Sequence, residues 1–204
     1  MLFKDNIESP ENYSKLINIL NSYGLSIEGH TETLLHMVRC SIIAKHFGKT
    51  LGLSTKEITL IEHCALLHDL GKFAIDPCIL YKTTKLTQEE LTIVRSHINV
   101  MEFDMPLVIW QTIRYHHERP DGKGYLGIPY NEIPWYVRIV SLIDAYDVMS
   151  NVRCYKDNSF SQSAIREEIF NNLGKQFDCF LGNTFINMLD TEELGEGVNV
   201  RNGN

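Results

Sequence analysis

Little in this chain points toward membranes, disulfides or polymers. No apolar run approaches the roughly 20 residues of a bilayer span, and the opening MLFKDNIESPEN lacks the apolar core of a secretory signal. The five cysteines, Cys40, Cys64, Cys78, Cys154 and Cys179, are scattered, odd in number and never paired as CxxC. That excludes a zinc ribbon and a disulfide framework and leaves most of them as small buried hydrophobes. Positive charge is not in excess: 19 Lys and Arg face 26 Asp and Glu, a net charge of −7. Such a balance disfavours a non-specific nucleic-acid binder. There is no internal repeat, no low-complexity segment and no obvious linker. Strand signals are nearly absent as well. WYVRIVSLI could pass for one, but Arg138, Ser141 and Asp144 recur at helical spacing. The expectation is a soluble, cytoplasmic protein of the all-α class, a single-domain helical bundle.

What is present supports that expectation. With 204 residues, 44% of them hydrophobic, the chain can bury one sizeable core. A short amphipathic helix is predicted over Tyr13–Tyr23. A second runs over Thr31–Leu51 on Leu34, Leu35, Val38, Ile42 and Ile43, with Gly48 and Gly52 marking a fraying end. Ser54 with Glu57, and Thr87 with Glu90, are capping-box signatures that open the next two helices. The first of these ends at His68-Asp69 near Gly71, and the second carries His97. Residues 72–85 read as a loop centred on Asp76-Pro77. Asp104 and Pro106 predict a helix start with Asp as its cap, and that helix ends at His116-His117. A long irregular stretch follows, ERPDGKGYLGIPYNEIP, of the kind that is often functional. Pro134 fits the first turn of a helix carrying Asp144 and Asp147. Ser161 caps a helix ending near Gly174, a last helix covers about Phe177–Leu189, and the tail from Glu192 is expected to fray.

Polar residues able to bind a metal punctuate these apolar helices. Glu32 and His36 are four apart and share a helix face. Read alone, they could also be a surface pair. His68-Asp69 follows the apolar CALL, where a buried carboxylate needs a cation or several hydrogen bonds, and Asp69 has two oxygens with which to bridge two ions. His116-His117 repeats the doublet at another helix end. Asp144 stands inside the apolar VSLIDAYD. His97 has the least support from its local sequence. His30, His46 and His63 read as structural or surface residues. A multinuclear site of oxygen and nitrogen donors suits phosphodiester hydrolysis.

HDLGK at 68–72 together with HHERPDGKGY at 116–125 resembles the HD-GYP branch of the HD metallophosphohydrolase superfamily. The likeness continues through FAIDPCILYKTTKLTQEE, LIDAYDVMSNVRCY and GKQFD and covers roughly residues 30–190. The resemblance implies a catalytic domain over 25–191, preceded by a helical lead-in over 1–24 and followed by a flexible tail over 192–204. It implies two or three divalent transition-metal ions, iron or manganese, held by Glu32, His36, His68, Asp69, His97, His116, His117 and Asp144, with Glu32 accompanying a third ion. It implies hydrolysis of cyclic di-GMP to the linear dinucleotide and on to GMP, with catalytic roles for Asp69 and Lys72. Lys72 would act on a phosphate oxygen, oriented by Asp147. Tyr125, Arg153 and Lys156 would contact the nucleotide, Tyr125 by stacking on a base. The loop after Tyr125 would serve a GGDEF-type signalling partner.

The chain departs from the pattern in several places. It reads Gly124-Tyr125-Leu126 where the family has Gly-Tyr-Pro, and the stretch to Pro134 is one residue shorter, with Pro129 supplying some of the lost rigidity. Cys154 replaces a usual Pro, Val152 a usual Asp, and Lys156 stands where Arg is common. The altered loop leaves room for a mixed cyclic GMP-AMP as substrate. Two other classes compete: a receptor that binds the nucleotide without turnover, and a di-iron oxygenase with related ligands.

Overall fold

A computed structural model describes residues 10–22, 24–99, 105–151 and 160–201, with backbone alone at 10–13, 15 and 192–201. Among these residues there are nine α-helices and no strand: α1 (Pro10–Ser22), α2 (Thr31–Thr50), α3 (Thr55–Leu67), α4 (Pro77–Leu80), α5 (Gln88–Arg95), α6 (Leu107–Tyr115), α7 (Trp135–Ser150), α8 (Gln162–Asn171) and α9 (Cys179–Arg201). The chain is thus all-α. WYVRIVSLI forms the start of α7, as its helical spacing predicted.

Helix α2 is the central element because it is buried around most of its circumference, from Leu34, Met37 and Val38 to Ile42, Ile43 and Phe47. A helix apolar on all sides has to be surrounded, and α1, α3, α7 and α9 surround it. Phe185 of α9 stands edge-on to Phe47 of α2 (4.9 Å) and to Tyr146 of α7 (5.0 Å), which ties three helices together. Gly48 does not mark a fraying end. It is buried where α2 meets α3, and a Cβ there would lie 2.9 Å from Ile61 Cδ1. The true stop is Gly52, at φ +69°. Its N–H reaches the Lys49 carbonyl and the Leu53 N–H reaches the Gly48 carbonyl, both at 3.0 Å, closing a Schellman turn.

Both predicted capping boxes form. The Ser54 N–H donates to Glu57 Oε2 (2.8 Å) and the Glu57 N–H to Ser54 Oγ (3.4 Å). Thr87 and Glu90 repeat the exchange at 2.8 and 3.2 Å. The loop expected over 72–85 is more ordered than its composition suggests. A 3₁₀ turn covers Leu70–Ala74, and Asp76 caps α4 by accepting from the Cys78 N–H at 2.8 Å. Helix α5 stops at Arg95, so His97 sits on a 3₁₀ turn, Ser96–Asn99. Pro106 occupies the N-cap of α6, while Asp104, the expected cap, lies outside the described residues. Helix α9 continues to Arg201, past the expected end at Leu189. No helix among the described residues is long and apolar enough to cross a membrane.

Candidate metal centre

Five segments deliver donors to one region of the core. Helix α2 brings His36, the C-terminal end of α3 brings His68 and Asp69, the 3₁₀ turn brings His97, the end of α6 brings His116 and His117, and α7 brings Asp144. His36, His68, Asp69, His97 and His116 are all buried.

The hydrogen bonds on the outer sides of the rings decide what the inner sides can do. His68 Nδ1 lies 2.8 Å from the Ala65 carbonyl, His97 Nδ1 2.7 Å from that of Val94, and His116 Nδ1 3.0 Å from that of Ile113. A carbonyl only accepts, so each Nδ1 carries the proton and each Nε2 of the neutral ring is a bare lone pair. Burial lowers the pKa of His97 and drives that of His116 well below its ordinary value, so both rings are neutral. Their Nε2 atoms nevertheless face each other at 3.4 Å, and His117 Nε2 stands 3.2 Å from His97 Nε2. Asp69 Oδ1 lies 3.6 Å from the Nε2 of both His97 and His116 and has no hydrogen-bond partner.

The other Asp69 oxygen, Oδ2, faces a second group. It stands 3.3 Å from His68 Nε2 and 3.6 Å from His36 Nε2, and His36 Nε2 is 3.1 Å from Asp144 Oδ1. His68 Nε2 is buried and without a hydrogen bond. Asp69 Oδ2 accepts from Lys72 Nζ, but Asp69 Oδ1 and His68 Nε2 are buried acceptors left without a donor, which is costly. A cation on each side of Asp69 would satisfy them, so the residues present fit a metal cluster with Asp69 between two ions. Histidines oriented through Nδ1 are also the usual outer-shell arrangement for metal ligands.

Electrostatics sharpen this picture. Burial works against charge on Asp69 and Asp144, yet Lys72 beside Asp69 and His36 beside Asp144 hold both well below the usual carboxylate range. Burial pushes His117 down to about 4. Burial also opposes a charge on His36, but Cys40, Asp144 and Asp147 outweigh it and raise its pKa.

Four expected site residues have surroundings that the sequence did not show. Glu32 lines the same cavity as His36 and Lys72, but its Oε1 lies 3.7 Å from Arg39 and it is about one-third exposed, at the edge of the cluster. Lys72 Nζ pairs with Asp69 Oδ2 at 2.6 Å. Asp147 is 1% exposed behind His36. It accepts from His36 Nδ1 (2.7 Å), Arg39 Nε (2.7 Å) and Arg39 Nη2 (2.8 Å). Tyr125 is also engaged. Its ring packs on His117 at 4.4 Å, and the Arg95 guanidinium lies 5.1 Å from its centroid. Tyr125 packs on His117 while remaining substantially exposed. Arg153 and Lys156, with Val152 and Cys154, lie outside the described residues.

Sequence reasoning missed Arg39, Cys40 and Glu118. Cys40 Sγ rests 3.6 Å from His36 Nδ1, and burial pushes the thiol up to about 11. Cys40 and Cys64 are buried as expected, whereas Cys78 and Cys179 are exposed. Glu118 is buried and organises the loop after the histidine doublet, accepting from the Leu126 N–H (2.6 Å) and the Ile128 N–H (3.0 Å). Gly124 is required beside it, since a Cβ would lie 2.6 Å from Glu118 Oε2. The signal for Glu118 was a carboxylate directly after the histidine doublet, at the start of a glycine-rich loop. Leu126 thus contributes an N–H that the motif proline lacks.

Two cavities flank the donors. One, of about 390 Å³, is lined by Glu32, His36, Lys72 and the segment from Leu80 to Leu86. The other, of about 200 Å³, is lined by His116, His117, Tyr125 and Asp144.

Comparison with known proteins agrees with this geometry. The HD domain family model matches residues 33–149, more than half of the chain. The chain is 33% identical over 162 residues to the cyclic di-GMP phosphodiesterase response regulator RpfG of Xanthomonas campestris, covering 74% of this chain and 41% of that protein. It is 31% identical to 3'3'-cGAMP-specific phosphodiesterase 2 of Vibrio cholerae, covering 72% of this chain and 30% of that protein. A cyclic di-GMP phosphodiesterase of Thermotoga maritima is 32% identical, with 75% and 42% covered. This chain therefore spans well under half the length of these curated relatives. Among solved structures it resembles the HDG"Y"P protein Bd1817 of Bdellovibrio bacteriovorus, with a TM-score of 0.61 and 16% identity over 93% of this chain and 68% of that one. The matched segment carries His36, His68-Asp69, His97, His116-His117 and Asp144, and the chain belongs to the HD domain family.

Proposed function

We propose that the protein is a metal-dependent phosphodiesterase that hydrolyses cyclic di-GMP to the linear dinucleotide, and that it continues to GMP. The observation that carries this reading is the set of buried lone pairs on His68, His97 and His116 converging on the two oxygens of Asp69. Glu32, His36, His68, Asp69, His97, His116, His117 and Asp144 would hold two or three ions, iron or manganese, within a catalytic unit spanning 25–191. When bound, such ions activate water and neutralise the phosphodiester. The three carboxylates Glu32, Asp69 and Asp144 leave about +1 with two divalent ions and about +3 with three, either of which attracts a dinucleotide of about −2.

The chain's own residues supply the rest. Asp147 keeps the His36 ring in one orientation, and Arg39 keeps Asp147 ionised. Tyr125 braces His117 in the same way. Lys72 places a cationic N–H on the cavity wall next to Asp69, where it donates to a phosphate oxygen and stabilises charge that develops there. Arg153 and Lys156 remain proposed nucleotide contacts. The loop bearing exposed Tyr125, Leu126 and Tyr130 is the proposed docking face for a GGDEF-type partner in the cytoplasm.

A second reading keeps the chemistry and changes the substrate to mixed cyclic GMP-AMP. It is favoured by Leu126 in the loop and by the Vibrio relative. Protein reconstituted with iron or manganese is incubated with each dinucleotide and followed by chromatography. Turnover of cyclic di-GMP supports the first reading, and turnover of the mixed dinucleotide alone supports the second. No turnover of either at full metal content contradicts both and leaves a receptor.

A further inference from the structure

We infer that the segment Tyr81–Leu86 holds the second, unreacting phosphodiester of the cyclic dinucleotide, with Lys85 as the cation that recognises it. The inference rests on the proposed function. A cyclic dinucleotide carries two phosphodiesters in one ring, and only one of them can sit at the metal centre at a time. The other keeps its charge of about −1 and, once inside a cavity, needs a donor or a cation.

The 390 Å³ cavity supplies both ends of this arrangement. It touches Glu32, His36 and Lys72 of the centre and also Thr83, Thr84 and Lys85. Its volume is within the range of about 300–1,000 Å³ typical of small-molecule sites. The wall is fixed on either side of those three residues. Tyr81 Oη bonds Thr33 Oγ1 at 2.7 Å, next to Glu32 on α2. Lys82 Nζ lies 2.8 Å from both carboxylate oxygens of Glu90, and Glu90 is itself held by the Thr87 capping box. The Lys82 charge is thereby neutralised, which makes Lys82 an anchor. Thr83, Thr84 and Lys85 are exposed and make no side-chain hydrogen bond or ion pair with a described residue. A pinned loop that presents two hydroxyls and one unneutralised ammonium to a cavity shared with the metal centre fits a phosphate.

The test compares two substrates. Bis(p-nitrophenyl) phosphate has a phosphodiester for the centre and no second phosphate. With Lys85→Ala, the ratio of kcat/KM for cyclic di-GMP to that for bis(p-nitrophenyl) phosphate falls about tenfold, carried by KM. Lys85→Glu lowers the ratio further, and Lys85→Arg restores most of it. Independently of turnover, equilibrium binding of a phosphorothioate cyclic di-GMP to Lys85→Ala weakens by a similar factor. A ratio within twofold of wild type for both Lys85→Ala and Lys85→Glu overturns the assignment. Wild-type protein that cleaves bis(p-nitrophenyl) phosphate but no cyclic dinucleotide overturns the proposed function, and that failure is visible before any variant is made.

Discussion

Replacing Asp147 by Asn probes how the centre is held from behind. Asp147 is 1% exposed and Arg39 8%, so their two bonds of 2.7 and 2.8 Å lie in the interior. Removing one partner of a buried ion pair costs about 3–5 kcal/mol, because the other charge is left uncompensated. Asn retains a carbonyl oxygen that can still accept from Arg39 or His36, which places the expected loss at the low end, about 3 kcal/mol. For a chain of this size that is a fall in Tm of about 6–12 °C. Urea denaturation of the metal-free protein gives the stability, and elemental analysis gives the metal retained by each variant. The double variant Arg39→Met with Asp147→Leu removes both charges. It should lose less than the sum of the two single variants, since neither charge is stranded. His36 loses its bond in every variant with Asp147 replaced, so metal content falls even in the double variant. A loss below about 1 kcal/mol, the scale of an exposed pair, together with strict additivity would refute the reasoning.

Four further outcomes follow from the same geometry. Leu126→Pro, which restores the family motif, should destabilise by about 1–3 kcal/mol because Glu118 Oε1 loses the Leu126 N–H; thermal unfolding reads it. Tyr125→Ala should lower metal retention and activity together, while Tyr125→Phe stays near wild type in metal content, because the contact with His117 is made by the ring. Acidification should destabilise the metal-free protein between about pH 6.5 and 4. His117 binds its proton near pH 4 when folded and near 6.5 when unfolded. The unfolded state therefore takes up more protons in that window, and stability falls as pH falls. His97 and His116 add in the same direction, whereas His36, with a raised pKa, opposes them in part. Finally, chelation should lower Tm by about 8–16 °C relative to protein in a metal excess of about a thousandfold over Kd, equivalent to about 4 kcal/mol of linkage.

The helices were legible because their signals are local. Ser54 and Glu57, or Thr87 and Glu90, meet within one turn, and the apolar spacing of 31–51 needs no partner to be read. The donor set was legible for a related reason: His68-Asp69 and His116-His117 stand beside apolar runs or turn signals within short windows. What escaped depends on partners distant in sequence. Asp147 meets Arg39 across 108 residues, so its role behind His36 could not be read from the Lys72 motif. Gly48 reads as a helix breaker by itself, and only the presence of Ile61 shows it to be a close helix contact. Tyr125 looks like a free aromatic in a loop until the fold sets it against His117 and Arg95. Glu118 fits no pairing rule, because its partners are backbone N–H groups eight and ten residues on.

An anomalous-scattering map from crystals of metal-loaded protein, recorded on both sides of the iron edge, tests the central claim most directly. The account expects at least two peaks, one on each side of Asp69. One should lie about 2.0–2.3 Å from Nε2 of His97 and His116, and the other at a similar distance from Nε2 of His36 and His68. A map without peaks at full occupancy of the added metal, or with peaks only at surface carboxylates, would contradict it.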